Sequence, residues 1–451
     1  LEKVNSATIV RKFERRELSR QIRGINWDTY GRVLEIVGNI IEAHLPGVPL
    51  GTVVRIESKL KPKDILGEVV GFRENRSLIF PYESLNGTAP GARIQPERFY
   101  DRVPVFDDML GKVFDPFMNE IGGIPVELRE DKVLVPIERA APDPMLRERI
   151  ARPLSLGVRA IDGLLTVGEG QRMGIMAGSG VGKSVLMGMI ARNVRADINV
   201  IGLIGERGRE VREFIERDLG PEGMRRSVLV VVTGDQSPLM RVRCASVVTA
   251  VAEFFSSRGK SVLLMMDSLT RVAMAQREIG LAVGEPPTTR GYTPSVFSLI
   301  PRLLERTGPQ IKGHGPISAL YTVLVEGDDF NDPVTDAARS VLDGQINLSR
   351  AIAAKGHFPA IDIPTSISRV MRDIVSPQHW ALANRVKELI SLHEEKADLL
   401  HFGSYERGSM PLLDMAIDMM PAIQKFLRQG HDDSTGFEDT MRAMSGLFGK
   451  T

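Results

Sequence analysis

The sequence predicts an α/β chain. A central domain with a mostly parallel sheet surrounds a phosphate-binding loop, with a small β-barrel before it and a helical domain after it. Three observations predict this. Residues Ala177 to Ser184 read Ala-Gly-Ser-Gly-Val-Gly-Lys-Ser, with an apolar run before them and a helix-like stretch after. That is the strand–loop–helix setting a phosphate loop requires. From about residue 151 to 375, apolar runs alternate with helical stretches, as in a parallel sheet covered by helices. Outside that region the pattern changes to short β-rich runs before it and helical periodicity after it.

The elements follow in order. Leu1 to Arg20 is locally basic, with loosely helical apolar spacing, so it is read as a docking helix for a partner or an acidic membrane surface, or as a frayed solvated terminus. The chain starts at Leu1, so its first residues are expected to be missing. Residues 21–95 hold the β-rich runs Arg32 to Ile41, Gly51 to Glu57, Leu66 to Phe72 and Ser77 to Pro81. Their tight spacing predicts the barrel. Residues 96 to about 150 are rich in Pro and Gly and lead into the central domain, which is taken as 96–375. Its strands are predicted at Met173 to Ala177, Asn199 to Ile204, Ser227 to Val232, Val262 to Met266 and Ile317 to Val325. In the helical domain, 376–451, helices are predicted at Trp380 to Leu392, Leu412 to Arg428 and Gly436 to Phe448, with Gly403 and Gly408 bracketing a turn.

Composition narrows the function. The chain has 451 residues, 43% of them hydrophobic and 25% charged, ordinary for a globular protein of several domains. No apolar run is long enough for a membrane span and no signal peptide is visible, so the expected compartment is the cytoplasm. Net charge is +1, from 58 basic and 57 acidic residues, which gives no argument for a nucleic-acid binder. The single cysteine, Cys244, lies in an apolar helical stretch and reads as a buried structural thiol.

The loop supplies the chemistry. Gly178, Ser179, Gly180, Val181 and Gly182 turn backbone N–H groups toward phosphate oxygens. Lys183 reaches the β- and γ-phosphates, the Ser184 hydroxyl ligates Mg²⁺, and Val185 begins the helix. Ala177 stands where the usual pattern has its first Gly, and is acceptable if φ stays negative. Asp267 ends the apolar run Val262 to Met266. A strand parallel to the first would bring it beside the loop, to hold Mg²⁺ with Ser184. Glu206 follows the run Asn199 to Ile204. A carboxylate past a strand end on that sheet edge is suited to polarise water at a γ-phosphate.

These residues carry a family resemblance. Pro153 to Asp162, Gly168 to Arg172, the phosphate loop, Gly205-Glu206-Arg207, Asp267 to Arg271 and Pro359 to Ser368 follow one another as in the catalytic subunits of rotary ATP synthases. The likeness runs from about residue 20 to the C-terminus. Gly157 to Gly168 and Val341-Leu342-Asp343-Gly344 most resemble the ATPases of type III protein export, above all the flagellar ones. The resemblance implies a RecA-like central domain and an Mg²⁺-dependent ATPase. It implies that Glu206 is the catalytic carboxylate and Lys183 the phosphate lysine. Arg271 matches an arginine near the γ-phosphate, and Arg369 the finger that a neighbouring subunit inserts. Phe358 matches the aromatic that stacks on adenine.

The resemblance further implies a homohexamer, cytoplasmic and peripheral at the inner face of the membrane. A stator-like regulatory protein would bind Leu1 to Arg20, and a small coiled-coil axial protein would enter the ring. Export-gate components and chaperone–substrate complexes would be further partners, with no nucleic acid. In the resembled rings the segment equivalent to Gly284 to Tyr292 faces the central hole. The turn Phe402 to Gly408 lacks the acidic character of the rotary tip, which fits an export ATPase better. Asp328, Asp329 and Asp332 read either as an edge of the site or as turn formers. The readings weighed against flagellar export are a virulence type III ATPase, an RNA-translocating ring and a non-catalytic scaffold.

Overall fold

The computed structural model describes residues 30–60, 63–97, 101–123, 129–325 and 332–449. Leu1 to Arg20 and Asp328-Asp329 lie outside the described residues. The chain divides into two compact units. The first holds the barrel, up to Arg102, together with Ser237–Leu239 and Glu278–Glu285; the second holds the remainder.

The barrel is closed by β1 (Gly31–Val37), β2 (Ile40–His44), β3 (Val53–Ile56), β4 (Ile65–Arg73), β5 (Arg76–Pro81) and β6 (Arg93–Pro96), in the order β1-β2-β5-β4-β3-β6. All neighbours are antiparallel. Alternate residues face inward, among them Val33, Ile41, Val54, Ile56, Ile65, Val69, Ile79 and Ile94. The predicted run Arg32 to Ile41 is two strands, because Gly38 takes φ 58° and makes a hairpin with Asn39. β6 has no apolar signature and was not predicted.

The second unit opens with short strands. β7 (Arg102–Val105) pairs with β9 (Val133–Pro136), and β10 (Pro153–Leu154) with β11 (Val167–Gly168), each as a two-stranded sheet. The main sheet holds β8 (Lys112–Phe114), β12 (Arg172–Ala177), β13 (Ile198–Glu206), β14 (Ser227–Thr233), β15 (Val262–Asp267), β16 (Ile317–Leu324), β17 (Gly344–Leu348) and β18 (Ile361–Ser368). Its eight strands run β18-β17-β12-β16-β15-β13-β14-β8. Neighbours are parallel except β17 with β18. The buried strands β12 to β16 are near-continuous apolar runs, as expected of a sheet covered on both faces. β15 runs parallel to β12 with β16 between them, and its last residue, Asp267, still reaches the phosphate-loop lysine Lys183.

The C-terminal helices Pro377–Glu395, Pro411–Leu427 and Phe437–Phe448 belong to this same unit. Their Val386, Leu389, Leu413, Ile423, Phe426 and Met444 share one apolar core with Ile161, Leu164 and the strands. Cys244 is fully buried in the helix Pro238–Ser257, and burial pushes its thiol pKa up.

Candidate nucleotide site

The site lies where the parallel strands end, at their carboxyl edge, which is where open α/β sheets bind ligands. Three strand ends build it. β12 ends at Ala177, and residues 178–182 turn into the helix Lys183–Asn193. Gly180 (φ 79°) and Gly182 (φ 88°) are left-handed, as the nest of N–H groups requires. Ala177 is the last residue of the strand and is buried, so the chain has no need of Gly there.

β13 ends at Glu206 with a bulge between Ile204 and Glu206. Gly205 has φ 77°, and the Arg271 Cδ lies 2.7 Å from where a β-carbon on Gly205 would sit. Only glycine permits both the turn and the passage of that arginine. β15 ends at Asp267, opposite Leu203 of β13. Arg271 comes from the first turn of the helix Leu269–Val283. The peptide bond between Asp267 and Ser268 is cis.

The charged atoms converge. Lys183 Nζ donates to Asp267 Oδ1 at 2.5 Å and lies 3.7 Å from Glu206 Oε1. Arg271 Nε is also 3.7 Å from Glu206 Oε1. The side chains of Lys183 and Glu206 are 13% exposed and that of Asp267 is 5% exposed, so these charges interact with little screening. Burial, with the Asp267 carboxylate beside it, pushes Glu206 up to about 7, against the pull of Lys183 and Arg271. Burial disfavours the Lys183 ammonium, but Asp267 and Glu206 outweigh it and hold its pKa above the usual lysine range.

Two buried polar atoms at this point, Glu206 Oε1 and Arg271 Nε, have no hydrogen-bond partner among the described residues. Buried groups are ordinarily satisfied, so these two suit a polar ligand. Carboxylate and hydroxyl oxygens are the donor set that Mg²⁺ prefers, and Asp267 with Ser184, in the first helical turn, supplies them. The residues therefore fit a magnesium–triphosphate.

The other predicted residues are placed as follows. Phe358 is 45% exposed, and its Cδ1 lies 3.5 Å from the position of a β-carbon on Gly182. The ring thus rests beside the loop with a face open to stack on a base. Arg369 immediately follows β18 and is exposed. Its guanidinium lies 3.4 Å from Arg339 O. Among the described residues no bond joins it to Lys183, Glu206 or Asp267, so within one chain it stands apart from the site. Asp332 caps the helix Pro333–Val341 through the N–H groups of Val334 and Thr335, and pairs with Arg290 at 3.2 Å.

Two contributors escaped the sequence reading. Thr322 Oγ1 on β16 donates to Asp267 Oδ1 at 2.6 Å. A hydroxyl inside the apolar run Ile317 to Val325 was its one visible signal. Arg350 starts the helix Arg350–Ala354, and its Nε lies 2.8 Å from where a β-carbon on Gly178 would be. The guanidinium lies against the loop at Gly178; no motif marks it.

A parallel sheet, a phosphate loop and two carboxylates around one lysine define a phosphate-loop nucleotide hydrolase. Comparison with known proteins agrees. Residues 157–368 match the nucleotide-binding domain of the ATP synthase alpha/beta family, and residues 375–446 match the T3SS EscN ATPase C-terminal domain. The flagellum-specific ATP synthase of Bacillus subtilis is 50% identical over 427 residues, covering 94% of this chain and 96% of the relative. The type 3 secretion system ATPase of Xanthomonas euvesicatoria is 47% identical, covering 93% and 94%. Among solved structures, the assembled ATPase EscN from the enteropathogenic E. coli type III secretion system superposes with a TM-score of 0.87. It is 42% identical and covers 92% of this chain and 99% of that one. The same ATPase in complex with its central stalk EscO gives a TM-score of 0.84, at 42% identity, covering 92% and 99%. This chain belongs to the type III export branch of the ATP synthase alpha/beta family, and it is an ATP hydrolase.

Proposed function

We propose that this chain hydrolyses MgATP to energise flagellar type III protein export. One observation carries the chemistry: Lys183, Glu206, and Asp267 with Arg271, from three separate segments, meet at the end of the phosphate loop. ATP is the substrate. The loop N–H groups of residues 178–185 and Lys183 bind its phosphates, and Phe358 stacks on its adenine. Ser184 and Asp267 would hold Mg²⁺, which neutralises charge on the β- and γ-phosphate oxygens when bound. Glu206 accepts a hydrogen bond from water and orients it toward the γ-phosphorus. Lys183 and Arg271 stabilise charge developing on the transferred phosphoryl group.

Arg369 is assigned to a neighbouring subunit's site. Its exposure and its distance in sequence from Lys183 support that role, and the role calls for a homo-oligomer, read as a hexamer. The assembled state of EscN supports a ring, and that protein's complex with a central stalk supports a small coiled-coil axial partner here. The segment Gly284 to Tyr292 is assigned to the central hole. Leu1 to Arg20 is assigned to a stator-like regulatory protein, with export-gate components and chaperone–substrate complexes as further partners. The expected location is cytoplasmic, peripheral at the inner face of the membrane. Among the described residues no helix is long and apolar enough to cross a membrane. The 47% identity to a type 3 secretion system ATPase keeps virulence export as the second reading.

The test pairs two assays. Glu206→Gln is expected to bind ATP and to lose turnover by roughly 10²- to 10⁴-fold, and to abolish filament-protein secretion in a flagellated host lacking its own copy. Wild-type turnover in that variant would favour a non-catalytic scaffold. Intact flagellar secretion, with a secretion defect only in a virulence system, would favour the second reading.

A further inference from the structure

The stretch Val341-Leu342-Asp343-Gly344 marked the family in the sequence without a chemical role. In the structure Asp343 is a junction. Its Oδ2 accepts from Arg172 N at 3.0 Å and from Arg172 Nε at 3.2 Å, and its Oδ1 accepts from Arg172 Nη2 at 3.3 Å. Its own N–H donates to Arg172 O at 2.8 Å. Its carbonyl accepts from Arg369 N at 3.0 Å and from Gln171 Nε2 at 3.0 Å.

The buried Gln171 amide also reaches Ser368 Oγ at 3.1 Å, and Ser368 Oγ donates to Thr166 O at 2.8 Å. Gly344 pairs with Ser368 across β17 and β18. The backbone at Arg369 is therefore pinned on several sides, while its side chain is exposed, with its guanidinium 3.4 Å from Arg339 O. Arg172 begins β12, and the other end of that strand enters the phosphate loop.

We propose that Asp343, held by Arg172 and Gln171, is a positioning residue that fixes Arg369 for use in the neighbouring subunit's nucleotide site. The proposal rests on the reading of Arg369 as an arginine acting in trans. An arginine placed about 1 Å wrongly costs roughly 10²-fold in rate, so the anchor of Arg369 matters as much as its charge. A purely structural ion pair would harm the subunit that carries it. A positioning role harms the neighbour instead, and the two are separable.

The experiment mixes variant subunits and reads ATP turnover and nucleotide binding. Asp343→Asn is expected to bind ATP with unchanged affinity and to lose about 10²-fold in kcat with KM unchanged. Mixed with Lys183→Ala, which retains a well-placed Arg369, it is expected to regain turnover. Mixed with Arg369→Ala it is expected to stay inactive.

Arg369→Ala mixed with Lys183→Ala is the control. If the control recovers and Asp343→Asn with Lys183→Ala does not, the positioning role is overturned while the trans arginine stands. If the control fails to recover, the trans reading falls and this proposal falls with it. If Asp343→Asn does not fold, Arg172→Lys decides. It keeps the charge and loses the planar fork, and is expected to give the same pattern. A folded Arg172→Lys protein with full turnover would overturn the proposal.

Discussion

Glu206 is held in a place that stability alone would not choose, and Glu206→Gln exposes the cost. Its carboxyl titrates near pH 7 in place of its ordinary 4.5, so ionising it in the nucleotide-free fold costs about 3 kcal/mol. The folded value is raised. The native state therefore keeps a proton that the unfolded chain has already released, and stability falls as pH rises through this window. Gln has no such proton. The variant and the parent are expected to be equally stable near pH 4 and to diverge as pH rises toward 8. Above pH 7 the variant gains about 3 kcal/mol, or roughly 5 °C for a unit of this size. Calorimetry with nucleotide and metal removed reads this directly. Melting curves that shift in parallel for both proteins across that range would refute the reasoning. A variant that is both more stable and nearly inactive is the signature expected of a strained functional group.

Three other substitutions test neighbouring parts. Thr322→Val removes the hydroxyl that donates to Asp267, and is expected to raise the Mg²⁺ concentration for half-maximal turnover by roughly tenfold; an unchanged Mg²⁺ titration would deny Thr322 that role. Gly205→Ala places a methyl against Arg271 at a φ of 77°; it is expected to destabilise by about 1 kcal/mol or more and to cut kcat, and normal kinetics would show that the turn adapts. Phe358→Ala removes the stacking face, so KM for ATP is expected to rise roughly tenfold, for a contact of about 1 to 3 kcal/mol, with kcat largely kept. A change confined to kcat would move Phe358 out of base binding.

Much of this was legible in the residues because strong local signals marked it. The strand runs ending at Ala177, Ile204 and Met266 are buried on both faces, and such strands announce themselves as unbroken apolar stretches. Polar residues at their ends, Lys183, Glu206 and Asp267, then point to one sheet edge. What stayed hidden depends on tertiary neighbours. Strand order places β16 between β12 and β15, and no local pattern encodes that. β6 and β17 are short and mixed in character, so periodicity misses them. Arg350 touches Gly178 only because the helix Arg350–Ala354 folds back over the loop. The hairpin at Gly38 has a short signal, Gly38-Asn39, which the apolar residues Val37 and Ile40 on either side obscure.

In the proposed function, the nucleotide site is built in one subunit and finished by its neighbour. Steady-state ATP turnover per subunit, measured from dilute to assembling protein concentrations with Mg²⁺ present, tests it most directly. Specific activity is expected to rise with concentration and level off, and to stay low throughout for Arg369→Ala. Turnover per subunit that is constant at every dilution would contradict the account.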